Sequence, residues 1–241
     1  MGRALDMYDK GRGAEVWVDL VAAGPDAVAP DRIAETREIA RRTMLAVRRN
    51  LERLIAGLSE WGYEFAPAPG DDILADSGVS PDTLDELEQR IGALPVALRA
   101  FAEHIGSVSL AGRRPEWDGN LADPLILTFD ADYVLSEHGL FLEDRGTEYE
   151  RTEFAVELAP DHLHKADISG GAPFSMVVPC EAADSLLRGE GHQTTLVNYL
   201  RTALRWGGFP GWDPALGQRG TGLVGEWPAE LRALAGTLDP I

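Results

Sequence analysis

Hydrophobic and polar positions change period several times along this chain, and each change marks a predicted element. Between residues 31 and 59, Ala40, Met44, Val47, Leu51, Leu54 and Leu58 recur in alternating steps of four and three, the stripe of a long amphipathic helix. Ser80 and Pro81 open a second helix as cap and first residue, with Leu84, Leu87 and Ile91 following. Pro95 suits the first turn of a third, in which Leu94, Leu98, Phe101, Ala102 and Ile105 share a face and Arg99 and Glu103 point outward. Gly106 stops it, and Val108 and Leu110 then alternate with Ser107 and Ser109, the period of a half-buried strand that Gly112 closes.

Elsewhere the pattern is plainer. Val16, Trp17, Val18 and Leu20 suggest a short strand or anchoring segment before a break at Gly24-Pro25. Pro67, Pro69, Gly70, Asp71 and Asp72 make the stretch 66–78 read as a linker or exposed loop, and a boundary falls there. The apolar run from Pro124 to Phe129 reads as a strand buried on both faces, with a helix expected over 131–138. Phe154, Val156 and Leu158 predict another strand, Phe174, Met176 and Val178 a third. A helix is expected over 193–206, with Leu196, Val197, Leu200 and Leu204 inward, and a short one over 228–234.

The run Leu94, Pro95, Leu98, Phe101, then Gly106, Val108, Leu110 and Trp117, resembles the core of the SUKH superfamily. That group includes yeast cell-wall-synthesis regulators and many bacterial immunity proteins. A glycine-rich turn at 169–173 leading into a strand that ends in Pro179 adds to the likeness. So does the closing stretch Tyr199-Leu200-Arg201 followed by Gly207, Gly208, Phe209, Pro210, Gly211 and Trp212. The resemblance covers about residues 80 to 210. It implies an α+β fold: a single mixed, mainly antiparallel sheet flanked by helices, within a domain spanning 66–241. Residues 1–65 form an N-terminal helical extension to it.

Charge narrows the functional classes. Forty Asp and Glu against 22 Lys and Arg give a net charge of −18, which opposes nucleic-acid binding, since Lys and Arg supply most of that affinity. The natural complement is a basic protein. The helix at 31–59 departs from this balance, with Arg32, Arg37, Arg41, Arg42, Arg48, Arg49 and Arg53 against Asp31, Glu35, Glu38 and Glu52. Docking on the acidic remainder, or self-association into a homodimer, accounts for it. Residues 130–157 are the acidic extreme: nine carboxylates and only Arg145 and Arg151, a balance of −7. The lone cysteine, Cys180, follows an apolar run and reads as a small buried hydrophobe. One cysteine fits a reducing compartment, and no stretch approaches the ~18 apolar residues of a membrane span, so a cytoplasmic protein without a membrane partner is expected.

Catalytic signatures are sparse. Asp130 and Asp132 at a strand end can hold a hard cation, although Asp130 also suits a helix cap. His162 and His164 share a face if that segment is extended and can ligate a metal, but Asp161 and Lys165 beside them read as an exposed turn. Gly217, Gly220, Gly222 and Gly225 follow no strand and lack a phosphate-loop lysine. Nucleophile-elbow, zinc-helix and dinucleotide fingerprints are missing. The expectation is therefore a non-enzymatic binding module without cofactor or metal. In keeping with the resemblance, it would neutralise a basic toxin domain, such as a nuclease, through an acidic face at Asp130, Asp132, Glu137, Glu143 and Asp144. Two alternatives stand beside it: a metal-dependent hydrolase or transferase using Asp130, Asp132, His162 and His164, and a regulatory scaffold dimerising through the 31–59 helix.

Overall fold

A computed structural model describes residues 2–68, 72–115, 123–166, 170–219 and 226–241. Two short helices, α1 (Arg3–Asp9) and α2 (Gly13–Ala22), lead through a 3-10 turn at Gly24–Val28 into α3 (Ile33–Glu60). The strand expected at 16–20 is instead part of α2. Val16, Trp17 and Leu20 turn inward at helical spacing while Val18 and Val21 face solvent, an arc that a two-residue period cannot make.

The long helix behaves as its stripe predicts. Ala40, Met44, Val47, Leu51, Leu54 and Leu58 are all fully buried within this one chain. Trp17 is locked against the helix by its indole N–H, which donates to Thr43 Oγ1 at 3.0 Å, while the Thr43 hydroxyl donates to the Ile39 carbonyl. The stripe is thereby consumed internally, and dimerisation through those six positions has no apolar surface to use.

After a two-residue strand β1 (Glu64–Phe65) come α4 (Pro81–Ile91), α5 (Val96–His104) and β2 (Ser107–Ser109). Ser80 Oγ caps α4 by accepting from the Thr83 N–H, and Pro95 sits one residue ahead of α5 at its cap. α5 packs along α3. Gly106 adopts φ +74°, which lets the Ile105 and Gly106 N–H groups both donate to the Phe101 carbonyl before the chain turns into β2. Pro69, Gly70 and Asp71 lie outside the described residues, and residues 72–78 are not simply exposed. Leu74 bridges Val108, the Ser109 N–H donates to the Ile73 carbonyl at 2.8 Å, and Gly78 lies so close to α5 that an added Cβ would meet the Glu103 carbonyl oxygen at 2.2 Å.

The remaining elements are β3 (Gly112–Arg113), β4 (Ile126–Thr128), α6 (Ala131–Glu143), β5 (Phe154–Ala159), β6 (Phe174–Val178), α7 (Leu196–Arg205) and α8 (Ala229–Ala235). The α+β class is as expected. The single sheet is not: among the described residues there are three two-stranded antiparallel sheets, β1–β3, β2–β4 and β5–β6. In the central pair Val108 lies opposite Leu127, both fully buried. β4 ends at Thr128, with the Phe129 N–H still donating to the Gly106 carbonyl at 2.8 Å before Asp130 caps α6. β5 carries a register shift between Glu157 and Ala159. α7 starts three residues later than expected, since Gln193 takes φ +54° and Thr195 is the cap. Trp117, Gly220, Gly222 and Gly225 lie outside the described residues. Cys180 is partly rather than fully buried.

Candidate functional site

All five carboxylates singled out from the sequence belong to one helix. Asp130 caps α6, its Oδ1 accepting from the N–H groups of Asp132 at 2.9 Å and Tyr133 at 3.0 Å, so the cap reading of this residue holds. Asp132 lies in the first turn, Glu137 in the middle, Glu143 at the end and Asp144 at the C-cap. Val134 and Phe141 face inward, with Phe141 and His138 both against Phe154 of β5. Burial, and then nearby Arg145, holds the His138 imidazole below its usual pKa.

The outward side is not uniformly polar. Tyr133, Glu137, Leu140 and Asp144 follow one another at steps of four, three and four, which aligns them on one helix face. Tyr133 and Leu140 are 46% and 48% exposed. Acidic groups thus surround aromatic and aliphatic side chains that the chain leaves in water.

None of Asp130, Asp132, Glu137, Glu143 and Asp144 has an ion-pair partner among the described residues. Glu38 and Glu88, by contrast, are held by Arg41, Arg42 and Arg99. At the N-terminus of α6 Asp130 and Asp132 suit the helix dipole. Glu143 and Asp144 oppose it, and no basic residue occupies the last turn; such placement typically costs about 0.3–1 kcal/mol. The negative field reaches Tyr133, whose phenol pKa is raised by partial burial and by Glu157 and Glu137.

Glu157 joins this site from β5. Its Oε2 accepts from the Tyr133 hydroxyl at 3.2 Å, and it lines a groove of about 380 Å³ with Thr128, Asp130, Tyr133, Pro160 and Pro173. Nothing in the sequence places Glu157 beside α6, although Tyr133, three residues after the cap, is a legible outward position.

The chain was compared with family models, curated proteins and solved structures. No match was found.

The residues of the metal-dependent alternative are not assembled. Among the described residues no group of three or more His, Cys, Asp or Glu is placed to hold a metal ion. His164 Nδ1 is bound to Asp161 Oδ2, and that aspartate is buried, also accepting from the Leu163 N–H at 2.7 Å. Burial pushes the Asp161 carboxyl up, but the hydrogen bonds from His164 and Leu163 leave its pKa below the usual value. The exposed turn expected here is therefore only partly so. Lys165, which reads as solvated, has a wholly enclosed side chain: Nζ donates to Asp123 Oδ1 at 2.8 Å and to the Tyr199 hydroxyl at 3.4 Å, and sits 4.5 Å from the centre of the Phe174 ring. Close by in sequence to Tyr199, Glu190 is buried and holds His192 Nδ1, with Asp213 3.3 Å from Nε2. Lys165 thereby joins Asp123 to Tyr199 of α7, whereas His192 Nε2 is buried without a hydrogen-bond partner among the described residues. No helix among the described residues is long and apolar enough to cross a membrane.

Proposed function

We propose that this chain is a non-enzymatic protein-binding module whose α6 face docks a basic protein domain, and that it serves as an immunity protein neutralising a toxin. The observation that carries the reading is the set of carboxylates, without an ion-pair partner among the described residues, around exposed Tyr133 and Leu140. An apolar centre ringed by uncompensated charge of one sign is what an electrostatically steered interface needs on its partner-seeking side. A nuclease, whose cleft is built to receive phosphates, presents the matching positive surface. The resemblance to the SUKH superfamily and the cytoplasmic setting expected from composition belong to the same proposal.

The test is a photo-crosslinking residue placed at Tyr133, used in extracts of the native host at low salt. A basic protein captured there, and lost when Glu143→Lys and Asp144→Lys are introduced, is then expressed alone and together with this chain. The expected result is growth arrest in the first case and relief in the second, with association slowing as salt rises past ~0.1 M. Equal capture from a crosslinker at Val18, or equal protection by the charge-reversed variant, defeats the reading.

A further inference from the structure

We infer that the groove between the start of α6 and the end of β5 is an anchor pocket for one arginine side chain of the docked protein. The inference rests on the docking reading above and adds what the face recognises.

The groove has a mixed lining. Pro160 and Pro173, with the nearly buried Leu158 and Ala159, supply its apolar lining, and Thr128, Asp130, Tyr133 and Glu157 its polar one. Each carboxylate has one oxygen engaged and one unused. Asp130 Oδ1 takes the two helix N–H groups and Glu157 Oε2 takes the Tyr133 hydroxyl, whereas Asp130 Oδ2 and Glu157 Oε1 have no hydrogen-bond partner among the described residues. Among the described residues no cation pairs with either carboxylate.

An occupant must therefore bring positive charge, donors for two separate acceptors, and an apolar stem to cover the apolar lining. Arginine combines these in one side chain. Its planar fork reaches two oxygens at once, its three methylenes suit a proline-lined groove, and its weakly hydrated guanidinium stacks on an exposed aromatic ring such as Tyr133. Lysine offers the stem and charge without the fork, and it surrenders hydration less readily.

The test is a set of amide chemical-shift titrations on the full chain with N-acetyl-arginine amide, N-acetyl-lysine amide and N-acetyl-citrulline amide. Citrulline keeps the shape and removes the charge. The expected result is saturable shifts at Tyr133, Glu157 and Ala159 with the arginine compound, about threefold weaker binding of the lysine compound and none of citrulline. Glu157→Gln, which leaves the Asp130 cap intact, weakens arginine binding about fivefold. Glu60→Gln, exposed at the end of α3 and outside the proposed face, leaves it unchanged. Shifts equal for citrulline, shifts confined to other residues, or no effect of Glu157→Gln each overturn the anchor. If the arginine compound fails to bind while a captured basic protein still depends on Glu143 and Asp144, the anchor falls and the docking face stands. If the arginine compound binds but no partner depends on Glu143 and Asp144, the reverse holds.

Discussion

Asn50 and Asp239 are joined in both directions across 189 positions of sequence: Asn50 Nδ2 donates to the Asp239 carbonyl at 2.8 Å, and the Asp239 N–H donates to Asn50 Oδ1 at 3.0 Å. Asn50 is fully buried in α3, so one polar side chain on the core helix fixes the last described segment. Replacing it with leucine strands two backbone groups and should cost about 2–3 kcal/mol in urea unfolding. Asp239→Ala keeps both backbone bonds and removes only an exposed ion pair to Arg53, so its cost should stay below about 0.5 kcal/mol. Equal losses from the two variants would show that the backbone pairing does not hold the segment.

Gly78 and Gly106 meet at the end of α5, where a Cβ on Gly106 would lie 3.2 Å from Gly78 Cα. Gly106→Ala strains a residue at φ +74° and should destabilise by about 1–2 kcal/mol. Gly78→Ala drives a methyl into the carbonyls of Ala102 and Glu103, backbone that cannot swing aside, and should cost more than about 3 kcal/mol. Denaturation midpoints in that order support the close approach, and the reverse order refutes it.

Helices were legible because their period is local. The stripe of α3 and the Ser80-Pro81 start of α4 are read from single turns of sequence, and Gly106 announces its own conformation. Strand partners are not local. Nothing near Leu127 says that it faces Val108 across a short antiparallel pair. Asp130, Asp132 and Glu137 are visible on the helix predicted over 131–138, but the helix runs on to Glu143 and so carries Glu143 and Asp144 with them, and Glu157 reaches the face only through tertiary packing. Lys165 misled for the opposite reason. A lysine between His164 and a polar loop reads as solvated, and the carboxylate that draws it inward, Asp123, lies 42 positions away.

Asp184 should make stability fall as pH rises. Its carboxyl is buried at the start of α7, and burial raises its pKa from the ordinary 3.8 to about 6, although the N–H groups of Val197 and Ser185 donate to it. A folded-state pKa above the unfolded one means that the protonated form contributes stability. That contribution is complete below about pH 4, shrinks through pH 6 and is gone above, a change of about 3 kcal/mol. Asp184→Asn has no proton to lose. The gap between the unfolding free energies of the native chain and this variant should therefore drop by about that amount from pH 4 to pH 7. A gap that stays flat would assign the pH dependence to other groups.

The buried pair of Lys165 and Asp123 supports the fold in a way that single and double substitutions separate. The lysine side chain is wholly enclosed and the aspartate nearly so, which places both charges where desolvation is costly and leaves each dependent on the other. Lys165→Met removes the cation but fills similar space over Phe174, and the stranded Asp123 should make the loss about 3–5 kcal/mol. Adding Asp123→Asn to Lys165→Met removes the stranded charge as well, so the double variant should recover at least half of that loss. Lys165→Arg keeps the charge but needs room for a larger planar group in an enclosed site, and should cost about 1–3 kcal/mol. If the double variant is no more stable than Lys165→Met alone, the penalty comes from lost packing around Phe174 and Tyr199 rather than from an unpaired carboxylate. The pair would then be incidental to how the loop at Asp123 is held against α7.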